Sequence, residues 1–417
     1  MKRKQKQKRK QTKKKTGHYG YKDSPAHENE AFQITFKINQ ALKTENFSLL
    51  REIGRESGFH SDAIRRRVWP FLLHCTDYEM DKVIEGSLEV PHKDESQVKL
   101  DVVRSFNSFP KNIDDQEKEK LQAQLDQVIT HVLRSYPSLH YYQGFHDICC
   151  VFILLFGVKY ACKLMESVAL FYLRYPFFYE MFMNMEPVLK QLTILDTLIR
   201  LKDQELHAFI SEAGVLPYYS LSWVITWCSH DLDDLEKLTR LFDLFLCSNP
   251  FMPVYFAAAV VLSRRDQVLA LPCDISTIHS FLTKLPKDID VHSLCQIACD
   301  LEAEYSVYDV QCLSQVPLDQ ESAVNRYTHD WIPIDNLDDL NHIVQDQIIP
   351  ILKDQHNRTP IELSSPKLKA EQEDNPSDVV LAKLRSWATK DIALYTLFTV
   401  SAGVGLLAIV MSNTDIV

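Results

Sequence analysis

The chain has 417 residues, 46% of them hydrophobic, and carries 46 Lys and Arg against 56 Asp and Glu for a formal net charge of −10. That composition allows a large core in one to three domains, and its acidic balance argues against a surface built to hold nucleic acid. With only 10 Gly, about 2% against an average near 7%, and neither a P-loop nor a G-x-G-x-x-G, the sequence excludes glycine-rich sandwiches and phosphate-cradling turns, and with them a nucleotide site of its own.

Residues 1–16 hold ten Lys or Arg and no acid, which leaves 36 basic against 56 acidic residues for the rest. Such a block repels itself, so residues 1–27 are predicted to be a disordered polybasic tail. Contact with anionic lipid, nuclear import and nucleic-acid contact are open to it, as is a plain solvated tail; lack of interleaved aromatics makes nucleic acid the weakest. No secretory signal is present.

Residues 28–306 read as one helical unit. Phe32, Ile34, Phe36 and Ile38 alternate, but Leu42, Leu49, Leu50 and Ile53 follow at helical spacing, which predicts helix. Ser57-Gly58-Phe59-His60-Ser61-Asp62 then leads into Arg65, Val68, Trp69 and Pro70, with Ser61 or Asp62 as N-cap and Pro70 disturbing the helix. Residues 76–97 are acidic and unpatterned, a surface loop delivering the chain to Val98–Arg104, where Asp101 and Arg104 share a helical face at i, i+3. Leu121, Leu125, Val128, Ile129, Val132 and Leu133 mark the clearest amphipathic helix, ending near Tyr136-Pro137.

The next stretch, Leu139-His140-Tyr141-Tyr142-Gln143-Gly144-Phe145-His146-Asp147, precedes nine consecutive apolar residues, Ile148–Phe156, closed by Gly157. It predicts a loop entering a buried core helix, with free backbone N–H groups and the helix dipole favouring an anion at the entry. Alone, a glutamine at a helix start is an ordinary cap or solvated side chain. Apolar stripes continue through Tyr160–Tyr172, Met181–Leu201, Leu206–Ala213, Tyr218–Leu244, Pro253–Leu262, Ile275–Leu285 and Val291–Tyr305, all predicted core helix, and no period of 30 to 50 residues suggests a repeat array. The ten cysteines lack C-x-x-C spacing and read as small core hydrophobes in a reducing compartment; Cys295, Cys299 and His292 lack a further ligand, so no metal is predicted.

Residues 307–384 are polar and punctuated by Pro317, Pro333, Pro350, Pro360, Pro366 and Pro376, with one weak amphipathic stretch at Ile343–Leu352, and are predicted to be a flexible linker. Residues 385–417 are predicted to be a membrane anchor. Ile392–Met411 is a run of twenty residues without a charge, preceded by Lys383, Arg385, Trp387 and Lys390. At about 1.5 Å per residue it is long enough to span a bilayer once. The basic flank and interfacial Trp387 put the preceding domain in the cytosol, and a span so close to the last residue would insert after translation. Ordinary length and moderate hydrophobicity favour the thinner endoplasmic reticulum or early Golgi membrane.

Four segments together resemble the TBC-domain Rab GTPase-activating proteins. Leu100-Asp101-Val102-Val103-Arg104, within a hydrophobe-x-x-Asp-x-x-Arg frame, is similar to the family's I-x-x-D-x-x-R, and Tyr141-Tyr142-Gln143-Gly144 to its Y-x-Q-G. Gly58 to Pro70 resembles the opening G-I-P-x-x-L-R-x-x-V-W-P, with His60 where Pro is usual and one extra residue before Arg65. Arg240-Leu241-Phe242-Asp243 resembles R-I-W-D with Phe for Trp. The resemblance, over about residues 54–265, implies an all-α TBC domain of two helical subdomains. It makes Arg104 an arginine finger and Gln143 a glutamine finger, supported by Asp101, Tyr141, Tyr142, Gly144 and Asp147, while Arg65, Trp69, Arg240 and Asp243 are structural. The expected partner is a Rab GTPase in its GTP form, with GTP and Mg²⁺ belonging to that partner and no cofactor here. The anchor and the wording of the glutamine motif resemble the membrane-anchored subgroup, which acts on the Rab of the ER-to-Golgi step. A non-catalytic, membrane-anchored Rab-binding scaffold is the alternative, against which stands the presence of both fingers.

Overall fold

A computed structural model of the protein describes residues 25–75, 90–107, 109–111, 113–174, 186–334, 337–354 and 361–363. Every regular element among them is helical. The helices are α1 (Pro25–Lys43), α2 (Phe47–Glu56), α3 (Asp62–Leu72), α4 (Glu95–Val103), α5 (Asp115–Ser135) and α6 (Phe145–Phe171), followed by α7 (Glu186–Lys202) and α8 (Gln204–Glu212). A 3₁₀ turn (Pro217–Ser220) leads into α9 (Leu221–Ile225), α10 (Leu235–Leu246), α11 (Met252–Ser263), α12 (Arg265–Leu269), α13 (Ile275–Leu282) and α14 (Val291–Glu304). The all-α expectation is met, and one contiguous apolar core runs from Ile38 in α1 to Leu352.

The best-patterned sequence makes the best-defined pair. All six predicted apolar positions of α5 are buried, Asp114 caps its first turn by accepting from the Glu117 N–H at 2.8 Å, and acids in the first turn with Arg134 in the last suit the helix dipole. α5 packs along α6. In α6 the expected stop at Gly157 is a break: φ of 73° and ψ of 170° end one helical segment, and a second continues to Phe171. Among the described residues α6 is the one helix long and apolar enough to cross a membrane, but it is largely buried inside the protein, as a core helix is. Eight of the ten cysteines are buried, with Cys273 exposed and Cys299 half-buried.

The opening and R-I-W-D segments meet in a closed knot. Asp243 on α10, fully buried, accepts from Arg65 Nε and Nη2, Trp69 Nε1 at 2.8 Å and the Phe59 backbone N–H at 2.9 Å. Arg240 donates to the last carbonyls of α2, those of Gly54, Arg55 and Glu56. Gly58, at φ of 72°, has no room for a side chain, since a Cβ there would come within 2.7 Å of Arg240 Cδ. Phe242 fills the family's Trp position, its ring 6.0 Å from Trp69 and 5.1 Å from Trp227.

Four sequence expectations are corrected. The first predicted helix divides into α1 and α2 at residues 44–46, and α3 runs on through Pro70 to Leu72. The continuous helix expected over Tyr218–Leu244 is interrupted at residues 226–234, where Trp227 and Cys228 take positive φ. The largest correction concerns residues 307–384, expected to be a flexible linker. They contain α15 (Val307–Ser314), α16 (Ala323–Asp330) and α17 (Leu337–Ile343), the last passing through a π turn (Val344–Ile348) into α18 (Ile349–Lys353). Val310, Val324, Trp331, Ile348 and Leu352 are buried in the common core, and Arg174 pairs with Asp330 at 3.1 Å, both side chains 2% exposed. α15 and α16 are too short for periodicity to register over an 11–18 residue window, and of the run from α17 to α18 only the amphipathic stretch at Ile343–Leu352 registers. The polybasic tail at 1–16 and the span at 392–411 lie outside the described residues.

Candidate functional site

Two segments 39 residues apart in sequence, around Arg104 and Gln143, are brought to one cleft of about 250 Å³, lined also by Phe106, Asn107, Asp147 and His230. The first is delivered by α4. Its N-terminal end is tied to α5 by Glu95, which takes Arg134 Nε at 2.6 Å and Nη2 at 2.9 Å, and this guanidinium holds the Glu95 carboxyl below the usual range. Its C-terminal end is tied by Gln122 of α5, whose amide donates to the carbonyls of Val103 and Ser105, and by Asn107, which donates to the Arg104 carbonyl at 2.6 Å. The backbone at Arg104 is therefore fixed at a helix end whose carbonyls are already satisfied.

Asp101, on α4 and fully buried, pairs with Arg104 Nη2 at 2.6 Å. The Arg104 side chain stays 38% exposed. Tyr141 couples the two motifs: its backbone N–H donates to Asp94 at 2.9 Å, just before α4, and its hydroxyl donates to Asp101 at 2.7 Å, near the end of that helix. Burial and the Asp101 carboxylate push the Tyr141 hydroxyl well above its ordinary pKa, so it remains a donor. Tyr142 donates to the Ile225 carbonyl at 3.1 Å, anchoring the same segment to α9.

Gly144 is the N-cap of α6 at φ of 124°, and a Cβ there would come within 3.0 Å of Thr226 Cγ2. This turn carries half-buried Gln143 to the cleft. Asp147 follows in the first turn of α6, 3.0 Å from His230 Nδ1 and 3.4 Å from His146 Nε2. Burial works to raise the Asp147 carboxyl, but His146 and His230 outweigh it and hold it below the usual range. In return the bond to Asp147 lifts His230 from 6.5 to about 9, making it a cation at neutral pH. Removal from solvent pushes neighbouring Asp231 up to about 6.

The structure thus brings Arg104, Gln143, Asp101, Tyr141, Tyr142, Gly144 and Asp147 together. Arg65, Trp69, Arg240 and Asp243 lie apart, in the closed knot. Sequence reading missed the roles of Asp94, Gln122, Asn107, His146 and His230. The signal for His230 was present: apolar periodicity lapses across Ser229-His230-Asp231-Leu232-Asp233-Asp234, which marks a loop rather than the middle of a helix.

A family model for the Rab-GTPase-TBC domain matches residues 62–269. The chain is 37% identical over 276 residues to TBC1 domain family member 20 of Homo sapiens, covering 64% of this chain and 66% of that protein. It is 34% identical over 276 residues to GTPase-activating protein gyp10 of Schizosaccharomyces pombe, covering 65% of this chain and 72% of that one. This chain belongs to the TBC domain family. The TBC fold has a solved counterpart in the Ypt/Rab-GAP domain of Gyp1p, with a TM-score of 0.54, 17% identity, and coverage of 66% of this chain and 99% of that domain. The matched TBC stretch contains both cleft motifs, and the chain spans about two thirds of the human relative's length.

Proposed function

We propose that this TBC domain is a GTPase-activating module that stimulates GTP hydrolysis by a Rab-family small GTPase, supplying Arg104 and Gln143 in trans. The observation that carries it is unspent hydrogen-bonding capacity. Arg104 commits one guanidinium nitrogen to Asp101, and among the described residues Gln143 makes no side-chain hydrogen bond, though both stand in one cleft. An arginine fork can stabilise the charge developing between the β- and γ-phosphates, an effect worth roughly 10³–10⁵ in rate. A carboxamide can accept from the attacking water while donating to a phosphate oxygen. The cleft, at about 250 Å³, is smaller than the roughly 300–1,000 Å³ of sites that enclose a ligand, which suits a surface that reaches into a partner's nucleotide site. Leu100 and Val103, 65% and 74% exposed on α4 beside Arg104, offer apolar contact to that partner. The name GTPase-activating protein borne by the fission-yeast relative agrees with this reading.

The uncharged run at 392–411 supports a single span in the endoplasmic reticulum or early Golgi membrane, and the resemblance to the membrane-anchored subgroup implies an ER-to-Golgi Rab as substrate. Confinement of activator and prenylated GTPase to one membrane raises their effective concentration. The full chain, reconstituted in vesicles, should be assayed for single-turnover hydrolysis against a panel of Rabs beside Arg104→Ala and Gln143→Ala. Acceleration of an ER-to-Golgi Rab that both variants abolish is expected. Binding without acceleration of any Rab would make the protein a membrane-tethered scaffold.

A further inference from the structure

The loop between α9 and α10, residues 226–234, contributes Thr226, Ser229 and His230 to the cleft that holds Arg104, and His230 is its one basic residue. Its backbone N–H is bound to Thr226 Oγ1 and its ring Nδ1 to Asp147, so both the backbone and the imidazole are held. Its Nε2 has no partner among the described residues, the side chain is 40% exposed, and it lines the cavity that holds Arg104 and Gln143. A surface histidine serving only to tie the loop to α6 would need no opening to the cleft.

We infer that His230 is a third contact for the GTPase, an imidazolium that donates Nε2–H to an oxyanion entering the cleft beside Arg104. The inference rests on the proposed activator function and adds a residue outside both finger motifs. The oxyanion is a phosphate oxygen of the bound nucleotide or a carboxylate of the GTPase. Charge at this point is built in: Asp147 on α6 faces both His230 and Arg104, with His146 on the same turn and Asp231 beside His230 on its own loop. The bond to Asp147, helped by Asp231, outweighs burial and repulsion from Arg104 and keeps His230 protonated up to about pH 9. The site thereby presents two cations while retaining a carboxylate that orients them.

The test uses the full chain in vesicles with the GTPase that the panel identifies. His230→Gln should lower the single-turnover rate roughly 10- to 100-fold, the range for a lost hydrogen bond to a charged group, and His230→Lys should recover part of it. The wild-type rate, corrected for intrinsic hydrolysis, should fall as pH rises through about 9, a limb absent in His230→Gln. If the oxyanion is a phosphate, His230→Gln weakens binding to the GTPase loaded with GDP and aluminium fluoride but not with GDP alone. If it is a carboxylate, both complexes weaken alike. Unchanged rate and affinity in a folded His230→Gln protein overturn the inference. A drop that His230→Lys leaves unrelieved, with an unaltered alkaline limb, also overturns it, since a structural role would look that way. Should Arg104→Ala be neutral as well, the activator reading itself fails; should only the His230 variants be neutral, that reading stands without this residue.

Discussion

Two arginine–aspartate pairs in this protein use the same parts to opposite ends. Asp243 and Asp101 are both fully buried, each receives one aromatic donor, from Trp69 and Tyr141 respectively, and each pairs with an arginine. Arg65 directs Nε and Nη2 to Asp243 and Nη1 to Asp62, and its side chain is 6% exposed. Arg104 spends one nitrogen on Asp101 and leaves its side chain 38% exposed. The first pair is closed and holds α3 against α10; the second anchors a guanidinium that stays partly exposed at the cleft. Residue types are alike in the two although one pair is local and the other joins distant segments, so on the proposed function it is leftover hydrogen-bonding capacity that would set Arg104 apart from a structural arginine.

The comparison breaks most sharply on the arginines themselves. Arg104→Lys keeps a charge beside Asp101 but loses the fork, so stimulated hydrolysis should fall roughly 10³-fold or more while thermal unfolding stays close to wild type. Arg65→Lys should do the reverse, lowering the melting temperature and sparing the rate of the folded fraction. If the two substitutions gave the same pattern in both assays, the distinction would collapse.

Next in size is Asp243→Ala. It leaves the buried Arg65 guanidinium without its main counter-charge and should destabilise the domain by about 3–5 kcal/mol in a denaturant titration. A loss under 1 kcal/mol would mean that water satisfies this knot and that it is not closed.

Tyr141→Phe sharpens the open side. The backbone bond to Asp94 survives, while the hydroxyl bond to Asp101 is lost, so Arg104 is held less firmly. A roughly 10-fold fall in stimulated rate, at nearly constant GTPase affinity, is the expected result of losing one such bond.

The smallest effect concerns pH. His230 has its folded-state pKa raised from 6.5 to about 9, so protonation favours the folded form; that contribution is complete below about pH 6.5 and is lost as pH rises through 9. The melting temperature should decline across that window, and more shallowly in His230→Gln. An identical slope in the variant would assign the decline to other groups.

Much of this was legible in the sequence because the signals were local. Six apolar positions of α5 predicted its buried face, and the run at Ile148–Phe156 with Gly157 predicted a core helix and its break. The Asp101, Arg104 and Gln143 frames named the cleft before any geometry was known. What stayed hidden depends on contacts between distant segments. Nothing near Asp94 in the chain shows that it will receive the Tyr141 N–H, and Gln122 sits on the polar face of α5 where it reads as solvated. The lapse at residues 229–234 that marks the α9–α10 loop was outweighed by the apolar residues around it, since Trp223, Val224 and Trp227 and then Leu235 and Leu238 fit one helical stripe. α15 and α16 were missed, and α17 with α18 registered only as a weak amphipathic stretch, because short helices among prolines have the composition of a linker and their order comes from burial against the rest of the protein.

That last layer changes where the cooperative unit ends. The family match stops at residue 269, yet Trp331 sits in a socket formed by His74, Phe171 and Tyr172, its indole N–H 2.9 Å from the Tyr172 hydroxyl. Tyr172 in turn donates to the Leu246 carbonyl on α10, so the plug reaches the same helix that carries Asp243. A fragment trimmed to the matched residues would open that aromatic socket to water and strand Arg174 without Asp330. Limited proteolysis and calorimetry should accordingly find one melting unit extending past residue 350, and material cut at 269 should be prone to aggregate through the bared ring faces.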